Sequence, residues 1–189
     1  MSLKNLNNIL PLSNHPYETG FNINWPLIDD NYSFPKDYIE FITQYGIGRI
    51  DNFLTLFNPF IDNDDWNFFK QKEWIISDLS ELNESDPDYY SFILYPDNNG
   101  LLPIGITDNG DYIFWVITSD NSDLWNIAVV AARDSDVEYH QGNLISFIEG
   151  ILSKKIRSMC FPRDFPSPNI VFDNDCFRSL INPEGPSIS

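Results

Sequence analysis

The side chains that most often act as catalytic bases, nucleophiles or zinc ligands are scarce: the chain of 189 residues has two histidines and two cysteines. His15 lies in a polar, irregular stretch and His140 at the end of a predicted strand, and the sequence has no Gly-x-Ser-x-Gly or His-Glu-x-x-His motif. Cys160 and Cys176 lack the close pairing and the accompanying histidines of a zinc site. We expect two reduced thiols, with a disulfide between them as the alternative if the protein is exported.

Carboxylates are abundant, and a calcium site is one interpretation of the segment around Asn109-Gly110, because alternating oxygen ligands near a glycine resemble the start of an EF-hand loop. The distal glutamate is missing and the flanks are predicted strands, so a turn is favoured. No spacing marks the paired carboxylates of a glycosidase, and Gly46-Ile47-Gly48 lacks the Lys-Ser/Thr of a phosphate-binding loop. The acidic clusters are therefore expected to be turns and caps, and neither an enzyme activity nor a cofactor or metal is predicted.

Net charge is the strongest feature of the composition, since 28 acidic and 11 basic side chains give −17 at pH 7. A surface this acidic repels a phosphate backbone and an anionic membrane, so neither nucleic acid nor a membrane is an expected partner. The charge favours a basic protein, because a surface potential of one sign accelerates association by roughly 10- to 1,000-fold at low salt. A well-solvated acidic surface without a binding role is the alternative.

The elements that position these residues begin with a strongly signalled helix. Pro35 suits a first helical turn, where its missing N–H has no partner to lose. Apolar residues at helical spacing follow from Tyr38 to Tyr45, and Gly46 stands where a left-handed cap is wanted. Residues 53–57 then have the aromatic-rich pattern of a buried strand.

Beyond residue 60 the pattern predicts two more helices joined by strands and tight turns. Asn109-Gly110 between two apolar runs is a strong hairpin signal. The predicted helices cover residues 66–82, capped by Asp65, and 144–152, capped by Asn143. The predicted strands are residues 92–95, 101–106, 111–117, 125–132 and 137–140.

These elements predict a single α+β domain, with helices packed on a mostly antiparallel sheet that runs as a meander. Residues 1–20 are expected to be an irregular lead-in, residues 21–166 the domain, and residues 167–189 a proline-containing tail with a disordered end. The first residues have neither the apolar core of a signal peptide nor the length of a membrane span, so a cytoplasmic location is expected.

The order Pro-x-Asp-Tyr-x-x-Phe-x-x-x-Tyr-Gly-x-Gly, followed by a strand ending in Phe-Asn-Pro, resembles the SUKH superfamily. Residues 100–115 are similar to that family's central hairpin, and residues 161–166 resemble its usual ending. The resemblance implies a SUKH-like fold. It also implies a protein-binding function, because members are mostly bacterial immunity proteins that neutralise toxin domains, with fungal relatives that regulate cell-wall synthesis or act as scaffolds.

The expected function is therefore stoichiometric binding and neutralisation of a bacterial toxin domain, with a basic nuclease as the favoured target. The alternative is a regulatory scaffold that assembles cellular partners. The expected contacts are the acidic loops, together with one tryptophan near a hairpin end as an interface anchor. These residues are Asp62, Asp64, Asp65, Asp108, Asp111, Trp115, Asp120 and Asp123.

Overall fold

Seven strands form one sheet in the computed structural model, which describes residues 3–132 and 134–178. They are β1 (Arg49–Ile50), β2 (Leu54–Leu56), β3 (Leu101–Thr107), β4 (Tyr112–Val116), β5 (Asn126–Val130), β6 (Val137–His140) and β7 (Phe172–Asp173). Their order across the sheet is β6-β5-β4-β3-β2-β1-β7, and each neighbouring pair is antiparallel. The predicted α+β fold with an antiparallel meander is confirmed, and β7 is the addition that leaves chain order.

Three of the four α-helices among the described residues contact one another on one face of the sheet. The helices are α1 (Leu3–Leu6), α2 (Lys36–Tyr45), α3 (Phe68–Ser85) and α4 (Leu144–Leu152), with short 3₁₀ helices at Ser122–Leu124 and Asp175–Phe177. Trp115 and His140 share a face because both pair with Ile127 in the register of the sheet. Tyr38 of α2 packs 5.1 Å from Trp115, and Phe147 of α4 lies 4.9 Å from His140, between ring centroids. Helices α1, α2 and α4 therefore cover this face.

Helix α3 lies on the opposite face, where it contacts β3. Tyr112 points to that face because side chains alternate along a strand. The pKa of the Tyr112 phenol is raised by burial and, to a smaller extent, by the charge of Asp78 on α3. In the part of the chain that the structure describes, no helix combines the length and the apolar character needed to span a membrane.

Two capping predictions hold and one is wrong. Gly46 adopts φ +69°, and a Cβ there would lie 1.9 Å from the carbonyl oxygen of Tyr17, so both conformation and space require glycine. Asn143 caps α4, its Oδ1 accepting from the N–H of Ser146 at 3.1 Å. Helix α3 is capped by Asn67 instead of Asp65. The Oδ1 of Asn67 accepts from the N–H of Phe69, whereas Asp65 lies in a turn and its own N–H donates to the side chain of Asn63.

The predicted strand at residues 92–95 is also wrong, since the segment makes a single bridge between Leu94 and Leu101. A side chain takes the place of a strand partner here. Asn83 of α3 both donates to the carbonyl of Phe92 and accepts from its N–H, each at 2.9 Å. The segment is therefore tied to α3 instead of extending the sheet.

The N-terminal segment belongs to the core, which corrects the expectation of an irregular lead-in. Leu6 and Leu10 are fully buried, and Tyr45 of α2 donates its hydroxyl hydrogen bond to the carbonyl of Leu10 at 2.8 Å. Two leucines four residues apart are too short a pattern to indicate a helix from sequence. The packing of their side chains against the other helices is what places the segment in the domain.

The segment after residue 166 likewise joins the domain, contrary to the predicted tail. Asp51, in the turn between β1 and β2, accepts hydrogen bonds from both the N–H and the hydroxyl of Ser167. Strand β7 then pairs with β1, and Phe177 packs against Trp66 at 5.1 Å between ring centroids. The expectation of a disordered end concerns the last eight or so residues, which lie outside the described residues.

Asp37 ties the two central helices together and is expected to show a measurable pH effect. The carboxylate is buried and accepts a hydrogen bond from the N–H of Ile145 at 3.1 Å, in the first turn of α4. Burial raises its pKa above the ordinary value of 3.8, and the hydrogen bonds from the backbone offset part of that rise. The folded state therefore binds this proton more tightly than the unfolded chain does.

We expect Asp37→Ala to lower the free energy of unfolding by about 1–2 kcal/mol, because the start of α4 loses its acceptor. Asp37→Asn keeps an acceptor and has no charge to bury. The stability of the wild type relative to Asp37→Asn should thus fall as pH rises from about 3.8 through the raised folded pKa, and level off above it. Urea unfolding of both proteins between pH 3.5 and about 7 measures this difference; a difference that does not change with pH would contradict the assigned cause.

Candidate protein-binding surface

The predicted contact residues do not converge on one place. Asp108 and Asp111 lie in the turn between β3 and β4, whereas Asp120 and Asp123 lie between β4 and β5. These turns are at opposite ends of β4, whose five residues span about 17 Å. The acidic clusters must therefore be judged one at a time.

The hairpin turn has a structural role. Asp111 is 4% exposed, and it accepts from the Thr107 hydroxyl at 2.8 Å and from the N–H of Ala132 at 3.1 Å. The predicted contact at Asp111 is wrong, since its carboxylate is inside the fold and connects the hairpin to β5. Asp108 is exposed and forms an ion pair with Arg49.

Trp115 is wrong as an interface anchor because it is 1% exposed. Its ring lies 5.1 Å from Tyr38, 5.8 Å from Trp125 and 6.2 Å from Phe68, between centroids. The position near a hairpin end suggested exposure, but the inward face of β4 continues to Trp115. This side chain is a packing residue of the core.

Asp123 caps the N-terminus of α2, which has no capping side chain at the adjacent position in the sequence. Pro35 offers no capping side chain, and Asp123 accepts from the N–H of Lys36 at 2.8 Å. The same carboxylate pairs with the Lys36 ammonium at 2.8 Å, and these contacts lower the pKa of Asp123. Asp120 is exposed on the same turn and remains a predicted contact.

The remaining cluster, Asp62, Asp64 and Asp65, is exposed on the loop that leads into α3. Gln71 on α3 donates to the backbone carbonyl of Asp64 at 3.0 Å, which fixes the loop against the helix. The pKa of the nearby Glu18 carboxyl is raised by burial and by the charge of Asp62. Glu18 thus adds a further carboxylate beside this acidic loop.

The outward side of α3 continues this acidic loop and carries an exposed tryptophan. Trp74 is 44% exposed, and Asp78 and Glu81, four and seven residues further along, lie on the same helical face. The segment 68–97 holds seven acidic residues and two lysines. We call the exposed set the α3 surface: Asp62, Asp64, Asp65, Glu73, Trp74, Asp78 and Glu81.

A groove of about 680 Å³ lies between α3 and the segment around Tyr95, on a side of the helix next to the one that carries Trp74. Lys72 lies along it, with its ammonium 5.9 Å from the ring centroid of Phe69 and 5.5 Å from that of Tyr95. The ammonium also donates to the carbonyl of Ile28 at 3.2 Å, and burial lowers its pKa. One of the two lysines of this region is therefore engaged within the protein, and the groove adds aromatic area to an acidic surface.

The position of Trp74 in the sequence of α3 indicates that it is exposed, although the composition of the chain alone does not. The buried residues of α3 are Phe68, Ile75 and Leu79, which form one stripe. Trp74 precedes Ile75 by one residue and so lies about 100° around the helix from that stripe. A tryptophan outside the apolar stripe of an amphipathic helix is the pattern of an exposed anchor.

The groups that could do acid–base or metal chemistry are engaged elsewhere in the fold. No cluster of three or more His, Cys, Asp or Glu side chains within residues 3–132 and 134–178 has the arrangement of a metal site. Both cysteines are free thiols. The Cys160 thiol donates to Glu138 at 3.5 Å, and burial raises its pKa to about 11, so it is a poor nucleophile at neutral pH.

Comparisons with known proteins agree with the fold. No curated protein and no solved structure gives a significant match. The model of the family SUKH_6, described as SMI1-KNR4 cell-wall, matches residues 30–148, which is more than half of the chain. The matched region runs from just before α2 into α4 and includes β1 to β6 and the whole of α3. The chain therefore belongs to the SMI1-KNR4 family of the SUKH superfamily.

Proposed function

We propose that this protein is an immunity protein that neutralises a basic toxin domain by stoichiometric binding at the α3 surface. Family membership supports a toxin-immunity or related role, and proteins of this family generally act without catalysis. The observation that carries the choice of surface is the half-exposed Trp74, placed among exposed carboxylates on α3.

A tryptophan in this setting has the properties of an interface hot spot. Tryptophan, tyrosine and arginine dominate binding energies, and they do so near the centre of an interface where neighbouring contacts exclude water. The carboxylates of the α3 surface would surround Trp74 as a polar rim. A rim of one charge accelerates the encounter with an oppositely charged partner and adds less to the lifetime of the complex.

A nuclease is the favoured target class because its active site must hold phosphate with cationic groups. The crowded carboxylates at Asp62, Asp64 and Asp65 would compete for the same groups. Binding that occludes such a site neutralises the toxin without turnover. We place this encounter in the cytoplasm, where a nuclease toxin would reach nucleic acid.

The test begins with a tagged full-length chain used to retain partners from source cells at low and moderate salt. Each retained polypeptide is then expressed alone and together with this protein, and cell survival is measured. We expect one retained polypeptide to be toxic when it is expressed alone. Its toxicity should be relieved when this protein is co-expressed and forms a one-to-one complex with it. Retained proteins that are not toxic, or toxicity without rescue, would overturn the proposal.

The double charge reversal Asp64→Lys and Asp65→Lys is expected to slow association with the retained partner by about 10-fold or more at low salt. The dissociation rate should change little, because these carboxylates lie at the rim. Stopped-flow mixing at several salt concentrations measures both rates. Asp134→Lys with Asp136→Lys makes the same charge change at the connection to β6 and serves as the control. An equal loss in both double variants would show that net charge acts without this loop.

The alternative function is a regulatory scaffold that assembles cellular partners. The description of the matched family, which refers to the cell wall, favours this candidate. A regulator's deletion should alter growth or cell shape in the absence of any toxin, whereas an immunity protein should be dispensable until its toxin is present. Deletion in source cells, scored with and without the retained partner, separates the two functions.

A further inference from the structure

Basic side chains are concentrated in one short segment of this acidic protein. Lys154, Lys155, Arg157 and Arg163 are four of the eleven basic residues of the chain, and they fall within ten positions that follow α4. All four are exposed. This segment lies on the α4 side of the sheet, opposite the face that α3 covers, so it is separate from the α3 surface.

A cavity of about 220 Å³ opens between these cations. Apolar side chains, among them Ile151, Ile156, Phe161 and Phe165, form part of its wall, and Lys154, Arg157 and Arg163 also line it. The cavity therefore combines a partly apolar wall with three cationic groups that reach solvent. An apolar side chain flanked by negative charges matches this arrangement.

The three cations have no carboxylate partner in the described part of the chain. The close contacts there between basic groups and carboxylates involve Lys36, Arg49, Lys155 and His140. The dipole of α4 suits cations directly after the helix, as at Lys154, but Arg157 and Arg163 follow the helix by several residues. Neither internal pairing nor helix stabilisation accounts for the position of these two arginines.

Lys154 adds an independent observation, because it adopts φ +60° directly after α4. Glycine is the residue favoured at a left-handed position after a helix, and a side chain there carries a conformational cost. From this position the lysine side chain lines the cavity.

We propose that this cavity binds an acidic peptide segment of a partner protein, which inserts one apolar side chain between flanking carboxylates. The volume is below the roughly 300–1,000 Å³ of pockets that enclose small-molecule ligands. It suits a single anchoring side chain, and the exposed cations at its edge suit the carboxylates on either side. The site is opposite in charge to the α3 surface and would engage a different partner.

Fluorescence anisotropy of the full-length protein with labelled peptides tests this site. The probe is the pentapeptide Asp-Asp-Phe-Asp-Glu. Asp-Asp-Gly-Asp-Glu, which lacks the anchor, and Lys-Lys-Phe-Lys-Lys, which reverses the charge, are the comparison peptides. Unlabelled phenyl phosphate serves as a small competing anion. The variants are Arg157→Gln with Arg163→Gln, Lys154→Gly, and the exposed control Lys70→Gln on α3.

We expect the phenylalanine probe to bind at least about 10-fold more tightly than the glycine peptide, as removal of an anchoring side chain implies. The double arginine variant should lose about 10-fold or more in affinity, and Lys70→Gln should match the wild type. Lys154→Gly should also bind more weakly while its unfolding temperature stays equal or rises, which a purely structural role of Lys154 would not produce.

Equal binding of the phenylalanine and glycine peptides would overturn the proposal, because it would reflect attraction of a polyanion alone. Absence of binding would also overturn it, as would phenyl phosphate that binds where the peptide does not. In an NMR titration with the probe peptide, chemical-shift changes in residues 151–166 would support the proposal. Changes confined to α3 would contradict it. Unfolding midpoints of every variant are measured alongside to confirm that each is folded.

Discussion

Replacement of Trp74 by alanine is expected to weaken binding of the retained partner by at least about 30-fold, while the protein stays folded. A hot-spot tryptophan at the centre of an interface contributes about 2 kcal/mol or more, and each 1.4 kcal/mol is a factor of about ten in Kd. The side chain is 44% exposed, so its removal takes little packing from the core. Titration calorimetry gives the change in Kd, and urea unfolding gives the stability.

Tyr139→Ala is the matched control for this substitution. Tyr139 is an exposed aromatic residue on β6, outside the α3 surface, and its loss should change neither binding nor stability appreciably. A Trp74→Ala protein that binds normally would remove the α3 surface from the proposed function. An equal loss in both variants would indicate that exposed aromatic area, and not this surface, governs the binding.

Replacement of Trp115 by alanine is expected to lower the free energy of unfolding by about 3–5 kcal/mol, the range for large aromatic residues in cores. Trp115 is in contact with the rings of Tyr38 on α2 and of Phe68, the first residue of α3, so its removal leaves a cavity among large aromatic side chains. For a domain of this size the melting temperature should fall by roughly 6–20 °C. Thermal and urea unfolding measure the loss.

Trp74→Ala provides the control, because it deletes the same side chain from an exposed position. The two variants should show opposite patterns: Trp115→Ala loses stability, whereas Trp74→Ala loses binding. At temperatures where Trp115→Ala remains folded, its affinity for the partner should be close to that of the wild type. A stable Trp115→Ala protein with a selective loss of binding would restore Trp115 as a contact residue and contradict its placement in the core.

Two surfaces of the fold carry opposite charges, which the net charge of the whole protein does not reveal. The α3 surface is acidic and lies on one side of the sheet, and the cationic cavity follows α4 on the other. Net charge of −17 predicts a basic partner for the molecule as a whole. A local cluster of unpaired cations can still attract an acidic segment, because salt screens charges more than about 8 Å apart at physiological ionic strength.

The sequence determined the fold class and most of the elements, because their signals are local. Pro35 and Gly46 mark the ends of α2, Asn109-Gly110 marks the β3–β4 turn, and Asn143 marks the start of α4. Each of these signals acts within a few residues through backbone conformation or a cap. The net charge, which argues against nucleic acid and favours a basic protein as the expected partner, is likewise independent of folding.

Tertiary structure decided which of these residues are available to a partner. Trp115 lies near a hairpin end in the sequence, and only packing showed it to be buried, whereas the exposure of Trp74 agrees with its position outside the apolar stripe of α3. Asp111 and Asp123 are taken up by hydrogen bonds to residues 21 and 87 positions away, which no local pattern indicates. Burial and long-range hydrogen bonding depend on contacts between distant segments, and these form only when the chain has folded.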